Sequence, residues 1–214
     1  MRFTVKKTLV YVLGLALLGV TVTLMQQTNL GMSAWDAFYR NMYDGIPLDY
    51  RYLNPIVALV IAPLGFLIQK KKLTVWVLFP IVISFFIGAV IDGLLLVVPN
   101  VSAMHWSLNV AYLLASIPIC AIGLNLCIHC QYPLPALDEL CYGIGVLFKT
   151  TYGKGKLIGE ILAIGLAVIT GLIFDFWNVY FNIGITTIVF GVAIGPAIDL
   201  FKKPVKRVME ALSL

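Results

Sequence analysis

Long apolar runs alternate with short polar segments along the chain, and six of the runs approach the length that crosses a lipid bilayer. A spanning helix needs about 20 residues. The second run is short and contains Pro55 and Pro63, which predicts a kinked helix or one that crosses with little tilt. Lipid offers the backbone no hydrogen bonds, so every run is predicted to be an α-helix. The runs cover residues 8–28, 53–69, 73–98, 106–131, 157–174 and 180–200.

Two short segments that follow apolar runs resemble each other. Residues 29–43 read NLGMSAWDAFYRNMY, and residues 131–145 read QYPLPALDELCYGIG. Aligned at Asp36 and Asp138, both place an alanine two residues before the aspartate. The third and sixth runs also end alike, in IGAVID and IGPAID. Similar blocks in the same order predict an internal repeat. One copy covers about 7–99 and the other about 106–203, within a single transmembrane domain, residues 1–214.

Each copy is predicted to contain three spanning helices and one short broken or re-entrant helix. An odd number of crossings turns the second copy upside down relative to the first. The predicted fold is therefore an all-α integral membrane protein, with six transmembrane helices arranged as two inverted-topology three-helix repeats. This arrangement is typical of secondary transporters.

The composition agrees with a membrane protein, since 61% of the residues are hydrophobic and 12% are charged. A typical soluble domain has about 25% charged residues, so no separate soluble domain is expected. Basic residues collect on one predicted side of the bilayer, and only Arg40 and Arg51 are left for the other. This asymmetry predicts a multi-pass protein with both termini in the cytoplasm. It also accounts for the basic composition without nucleic acid, so the predicted partner is the lipid bilayer.

The segment NLGMSAWD after a glycine-containing first helix, and the segment IGAVID in the third, resemble the YczE branch of the YczE/YitT family of small bacterial integral membrane proteins. The resemblance covers nearly the whole chain. It departs at Ala34, where the family commonly has a proline. It implies a plasma (inner) membrane protein with suspected transport activity and gives no substrate.

Helix-start signals surround the two aspartates of the repeat. Ser33 stands three residues before Asp36, and Pro135 stands three residues before Asp138. The aspartates either only cap helices, pair with a charged partner, or bind a proton, a cation or a substrate amine, because carboxylates at membrane depth are usually functional. Amides at the helix starts would attract a substrate carboxylate. The predicted substrate site contains both aspartates together with Ser33, Trp35, Asn29 and Glu139.

Four further residues complete the predicted site. Glu160 joins the two aspartates as a coupling residue, and Lys156 one turn earlier is its expected ion-pair partner. Arg51 either pairs with an aspartate or receives an anionic ligand. Thr23 and Asn125 occupy matching repeat positions, where they either hydrogen-bond between helices or line a cavity.

No metal or cofactor is predicted, and no enzyme motif is present. The cysteines and histidine in Cys127-Ile128-His129-Cys130 match half of a zinc site, but cysteine in a spanning helix usually acts as a small hydrophobe. The sequence contains no nucleotide-binding loop, no Ser-His-Asp set and no His-Glu-x-x-His motif.

These patterns favour a secondary transporter of a small polar or zwitterionic solute, such as an amino acid, an amine or a vitamin-like compound. One alternative is a substrate-capture subunit that works with a separate ATPase module. Another is a membrane scaffold or regulator that transports nothing. A homodimer is a further candidate assembly.

Overall fold

The computed structural model describes residues 4–46, 50–72, 74–174 and 182–212, without the side chains of residues 50–54. These ranges are helical and contain no strand. A short 3₁₀ turn, Val75–Leu78, leads directly into the fourth helix. The helices are α1 Val5–Gln26, α2 Ala34–Gly45, α3 Tyr50–Ile68, α4 Phe79–Leu95, α5 Trp106–Cys130, α6 Ala136–Leu147, α7 Tyr152–Ile173 and α8 Ile185–Ala211.

Five described segments are long and apolar enough to cross a membrane, as expected for an all-α, multi-pass membrane protein. The second predicted run corresponds to α3, whose described apolar part, Pro55–Ile68, is shorter. The five segments are Val5–Gln26, Val75–Leu95, Trp106–Cys130, Tyr152–Ile173 and Ile185–Ala211.

Two helices extend beyond their predicted bounds. Helix α7 begins at Tyr152 because the side chain of Thr151 caps it, accepting a hydrogen bond from the amide of Lys154. Helix α8 continues through Pro204 to Ala211. Asp199 therefore lies inside α8, and the expectation that it ends a helix is wrong.

Helices α1 and α5 pack backbone to backbone at the centre of the fold. A Cβ atom added to Gly14 would lie 2.9 Å from the carbonyl oxygen of Gly123, so only glycine permits this approach. Buried leucine and isoleucine side chains from α1, α5 and α8 surround the crossing and form the main apolar core.

The same two helices run antiparallel. At one end Cys130 Sγ donates to the carbonyl oxygen of Lys7, and at the other the amide of Asn29 donates to Asn109 Oδ1 at 3.1 Å. We call the end at Lys7 the basic end. The connections that follow α3 and α6, which carry Lys70–72 and Lys149, lie there as well.

The order of elements and their contacts recur along the chain. A long helix is followed by a 12-residue helix and two further helices, first in α1–α4 and again in α5–α8. Helix α1 contacts α4, as α5 contacts α8. Helix α2 contacts α7, as α6 contacts α3, and α3 contacts α4, as α7 contacts α8. The same pairs of elements are therefore in contact in both sets, although α3 contacts α4 much less extensively than α7 contacts α8.

Candidate functional site

The short helix α2 begins deep in the bundle and runs toward the end opposite the basic end. The Ser33 hydroxyl oxygen accepts from the Asp36 amide at 3.2 Å and donates to Asp36 Oδ2 at 2.6 Å. The sequence-predicted cap is therefore confirmed. Asn41 Nδ2 donates to the carbonyl oxygen of Ala167 at 2.7 Å, and Gly45 lies against Phe174. Helix α2 thus follows the second half of α7.

The other short helix, α6, follows the first half of α7 toward the basic end. A Cβ atom added to Gly159 would lie 2.2 Å from Cys141 Sγ, and one added to Gly145 would lie 3.2 Å from the carbonyl oxygen of Thr151. The N-terminal ends of α2 and α6 are therefore both directed at the middle of α7, from opposite sides.

A buried charged cluster occupies the space between these ends. Lys156 Nζ lies 2.7 Å from Asp138 Oδ1 and 3.0 Å from Glu160 Oε1. The Tyr152 hydroxyl also donates to Asp138 Oδ1, at 3.2 Å. Lys156 and Glu160 sit one turn apart on α7, which confirms the predicted ion pair. Asp36 is close enough to both for electrostatic interaction. We call Asp36, Asp138, Lys156 and Glu160 the central cluster.

The central cluster has more negative than positive groups. Asp138 and Glu160 share the Lys156 ammonium, Asp36 lies within electrostatic range of it, and Glu160 is only 1% exposed. Among the described residues no hydrogen-bond partner reaches Glu160 Oε2. Charges are expensive to bury and are usually paired. An unsatisfied carboxylate oxygen here indicates a group prepared to bind a proton or a cation.

Glu139 lies beside the central cluster but belongs to a separate set of contacts. Its Oε1 accepts from Lys71 Nζ at 3.0 Å and from Gln69 Nε2 at 2.8 Å, and its Oε2 accepts from the amide of Leu134 at 3.0 Å. Glu139 therefore ties the start of α6 to the segment before it and to the connection after α3. The N-cap residue of α6 is Pro135 and has no side-chain cap hydrogen bond, and Asp138, for which capping was one alternative, instead pairs with Lys156.

The side chain of Trp35 is buried in the interface between α2 and α7. It is 5% exposed, stacks edge-on against Phe38, and shares an apolar cluster with Ala163 and Ala167. Its indole Nε1 has no hydrogen-bond partner among the described residues.

The remaining predicted site residues are spread through the fold. Asn125 Nδ2 donates to the carbonyl oxygen of Ile198 at 2.9 Å and so links α5 to α8. This is the interhelical hydrogen bond that was one of the two alternatives for Asn125. Thr23 instead donates within its own helix, to Gly19. The side chain of Arg51 lies outside the described residues.

Two cavities open at opposite ends of the bundle. One, of about 300 Å³, lies where α1 ends and α8 begins, and Asn29 lines it. The other, of about 230 Å³, lies at the basic end, and we call it the basic-end cavity. Its walls include Asn125, His129, Thr151, Tyr152, Asp199 and Lys202.

The side chains of the Cys-x-x-Cys segment, residues 127–130, face two different surroundings. Cys127 and Cys130 donate to backbone carbonyls of α1, whereas His129 lines the basic-end cavity. Within the described ranges, no group of three or more His, Cys, Asp or Glu side chains is arranged to hold a metal ion.

Residues 5–203 match the model of a family described as a family of unknown function, DUF6198. The chain belongs to DUF6198. No curated protein and no solved structure matches it. The family description states no activity, so the function of this DUF6198 chain has to be argued from the central cluster and the helices that position it.

Sequence reasoning did not assign three residues of this DUF6198 site to function. Lys156 was expected only as the partner of Glu160, and its contact with Asp138 depends on the packing of α6 against α7. Asn41 was not considered. Tyr152 had a usable signal, because it stands where Tyr50 stands when the two copies are aligned.

Proposed function

We propose that the protein is a secondary transporter of a small polar or zwitterionic solute, such as an amino acid or an amine. The central cluster forms its substrate and coupling site. The observation that carries this proposal is the meeting of two short-helix starts in the middle of the bundle, where Asp138 and Glu160 share Lys156 and Asp36 lies within electrostatic range.

The chemistry of the site suits a zwitterion. Free amides at the starts of α2 and α6 favour a carboxylate, as helix N-termini do in general. Asp36 and the second oxygen of Glu160, Oε2, supply negative charge for an amine, since Lys156 contacts Asp138 and only Oε1 of Glu160. Short helices that end near the midplane are a common way for transporters to bind such solutes.

The architecture that we propose is two inverted repeats of three spans each, with α2 and α6 as re-entrant elements. The antiparallel pairing of α1 with α5 and the equivalent contacts of α1–α4 and α5–α8 support this arrangement. Helix α3, with 19 residues, is the sixth span. The lysines of the basic end support a cytoplasmic position for that end and for both termini in our proposal, with the protein in the plasma membrane. The resemblance to YczE proteins favours the same localisation.

A binding screen followed by a transport assay tests the proposal. Purified protein is screened by thermal shift against amino acids, amines and vitamins, and each hit is assayed for counterflow in proteoliposomes that contain only this chain. We expect at least one solute to bind and to exchange without an ATPase. Asp36→Asn and Asp138→Asn should each weaken binding by about tenfold, or about 1.4 kcal/mol.

Asp44→Asn is the matched control, because Asp44 lies at the far end of α2 in an exposed pair with Arg40. It should bind like the parent. Binding without counterflow would favour a substrate-capture subunit, and no binding to any solute would favour a scaffold.

A further inference from the structure

Tyr152 is a wall residue of the basic-end cavity, and its hydroxyl is also part of the buried charge network. Tyr152 lines this cavity and donates to Asp138 Oδ1 at 3.2 Å. It is thus the link between an open cavity and the central cluster.

From Tyr152 a chain of contacts continues inward without a break. Lys156 Nζ contacts Asp138 Oδ1 at 2.7 Å and Glu160 Oε1 at 3.0 Å. The chain ends at Glu160 Oε2, which is buried and has no hydrogen-bond partner among the described residues. Each member carries a proton that it can give or an oxygen that can accept one. Chains of ionisable groups inside membrane proteins often serve as proton relays.

We propose that this chain is a proton path from the basic-end cavity to Glu160, and that the proton is the coupling ion of the transporter. The inference rests on the proposed function for its physiological meaning. The path itself depends only on the contacts of Tyr152, Asp138, Lys156 and Glu160.

The transfer balances at every atom. Tyr152 takes a proton on its oxygen from hydronium in the cavity, which leaves water, and gives its own hydroxyl proton to Asp138. Lys156 passes one ammonium proton to Glu160 and recovers one from Asp138. The net result is one proton moved to Glu160, with Tyr152, Asp138 and Lys156 restored, and one negative charge removed from the central cluster.

Titratable groups face Glu160 from three neighbouring helices and from its own helix. Asp36 approaches from α2 and Asp138 from α6. Helix α8 presents Gly191, which leaves the Glu160 side chain room to change its contacts. Lys156 lies one turn before Glu160 on α7 and is itself surrounded by Asp138, Cys141 and Tyr152. Cys120 of α5 faces the same groups.

Infrared spectroscopy on reconstituted protein tests the path without any solute. Acidification should produce a protonated-carboxyl band that Glu160→Gln removes. After a rapid pH drop, Tyr152→Phe should slow the appearance of this band by about a hundredfold, the lower end of what a positioned proton-transfer group contributes. Tyr112→Phe removes one hydroxyl at the opposite end, where Tyr112 contacts Pro99, and should leave the rate unchanged.

A band that persists in Glu160→Gln, or an unchanged rate in Tyr152→Phe, would overturn the inference. If Glu160→Gln does not fold, Asp138→Asn takes its place, and it too should slow the appearance of the band. Solute exchange at a rate that does not depend on a pH gradient would contradict the proton as the coupling ion, but it would not contradict the proposed transport function. If the carboxyl band and its rate behave as expected but the protein transports no solute, the proton path would stand and the proposed transport function would be contradicted.

Discussion

Asp138 and Lys156 form a buried ion pair with a separation of 2.7 Å, which joins the start of α6 to the first half of α7. Their side chains are 12% and 7% exposed. Because the same ammonium also contacts Glu160, one lysine neutralises groups on two helices. The stability of this part of the fold should therefore depend on it.

Replacing Lys156 by methionine should destabilise the protein strongly. The change leaves several carboxylates buried without a counter-charge, and removing one member of a buried pair costs about 3–5 kcal/mol. Unfolding by SDS in mixed micelles measures the loss. Lys206→Met is the control, since Lys206 forms an exposed pair with Glu210 and should cost at most about 1 kcal/mol. Equal losses in the two variants would contradict the central role of Lys156.

Replacing Asn41 by leucine should loosen α2 from α7. Asn41 is fully buried, donates to Ala167 and accepts from Asn182 Nδ2 at 2.9 Å. Interhelical hydrogen bonds of this kind contribute about 1 kcal/mol in membrane proteins. The same SDS titration should show that loss, while the neighbouring substitution Met42→Leu, which nearly conserves volume, should show less. A leucine variant as stable as the parent would mean that this bond does not hold α2 in place.

Replacement by alanine should reduce stability at one glycine of α7, Gly155, and leave it unchanged at another, Gly165. A Cβ atom on Gly155 would lie 2.4 Å from the carbonyl oxygen of Cys141, whereas nothing lies within 4 Å of one on Gly165. Gly155→Ala should therefore force α6 away and cost about 1–3 kcal/mol, as overpacking usually does. Gly165→Ala should cost nothing measurable in the same unfolding assay. If both variants match the parent, α6 does not pack as closely on α7 as described.

Thiol labelling should report the proposed orientation. The four native cysteines are buried, so their background should be low. Ala103→Cys lies in the exposed connection before α5, and a membrane-impermeant maleimide should label it in intact cells. Lys206→Cys lies near the end of α8 and should be labelled only after permeabilisation. The opposite pattern would place the basic end outside the cell and reverse the proposed topology.

The sequence predicted most of the helices because membrane insertion leaves so strong a signal. Apolar length alone located the five long helices, and the serine three residues before Asp36 located the start of α2. Helix ends were harder. Charged residues do not stop a helix once it leaves the lipid, so α8 continues beyond Leu200.

The candidate site was predicted only in part, because sequence distance does not reveal contacts between helices. The pair of Lys156 with Glu160 follows from helical spacing. Three other features depend on how α6 lies between α3 and α7. They are the contact of Lys156 with Asp138, the hydrogen bond of Tyr152 to Asp138 and the separate contacts of Glu139. No periodicity in a single chain contains that information.

Helix α7 touches α6 along its first half and α2 along its second half. A tilt of this helix about its midpoint would swing its two ends in opposite directions, widening one of these contacts as it narrows the other. The tilt of one helix would then alternate which short helix is held and which is released, with Glu160 close to the pivot and Lys156 on the side of α6.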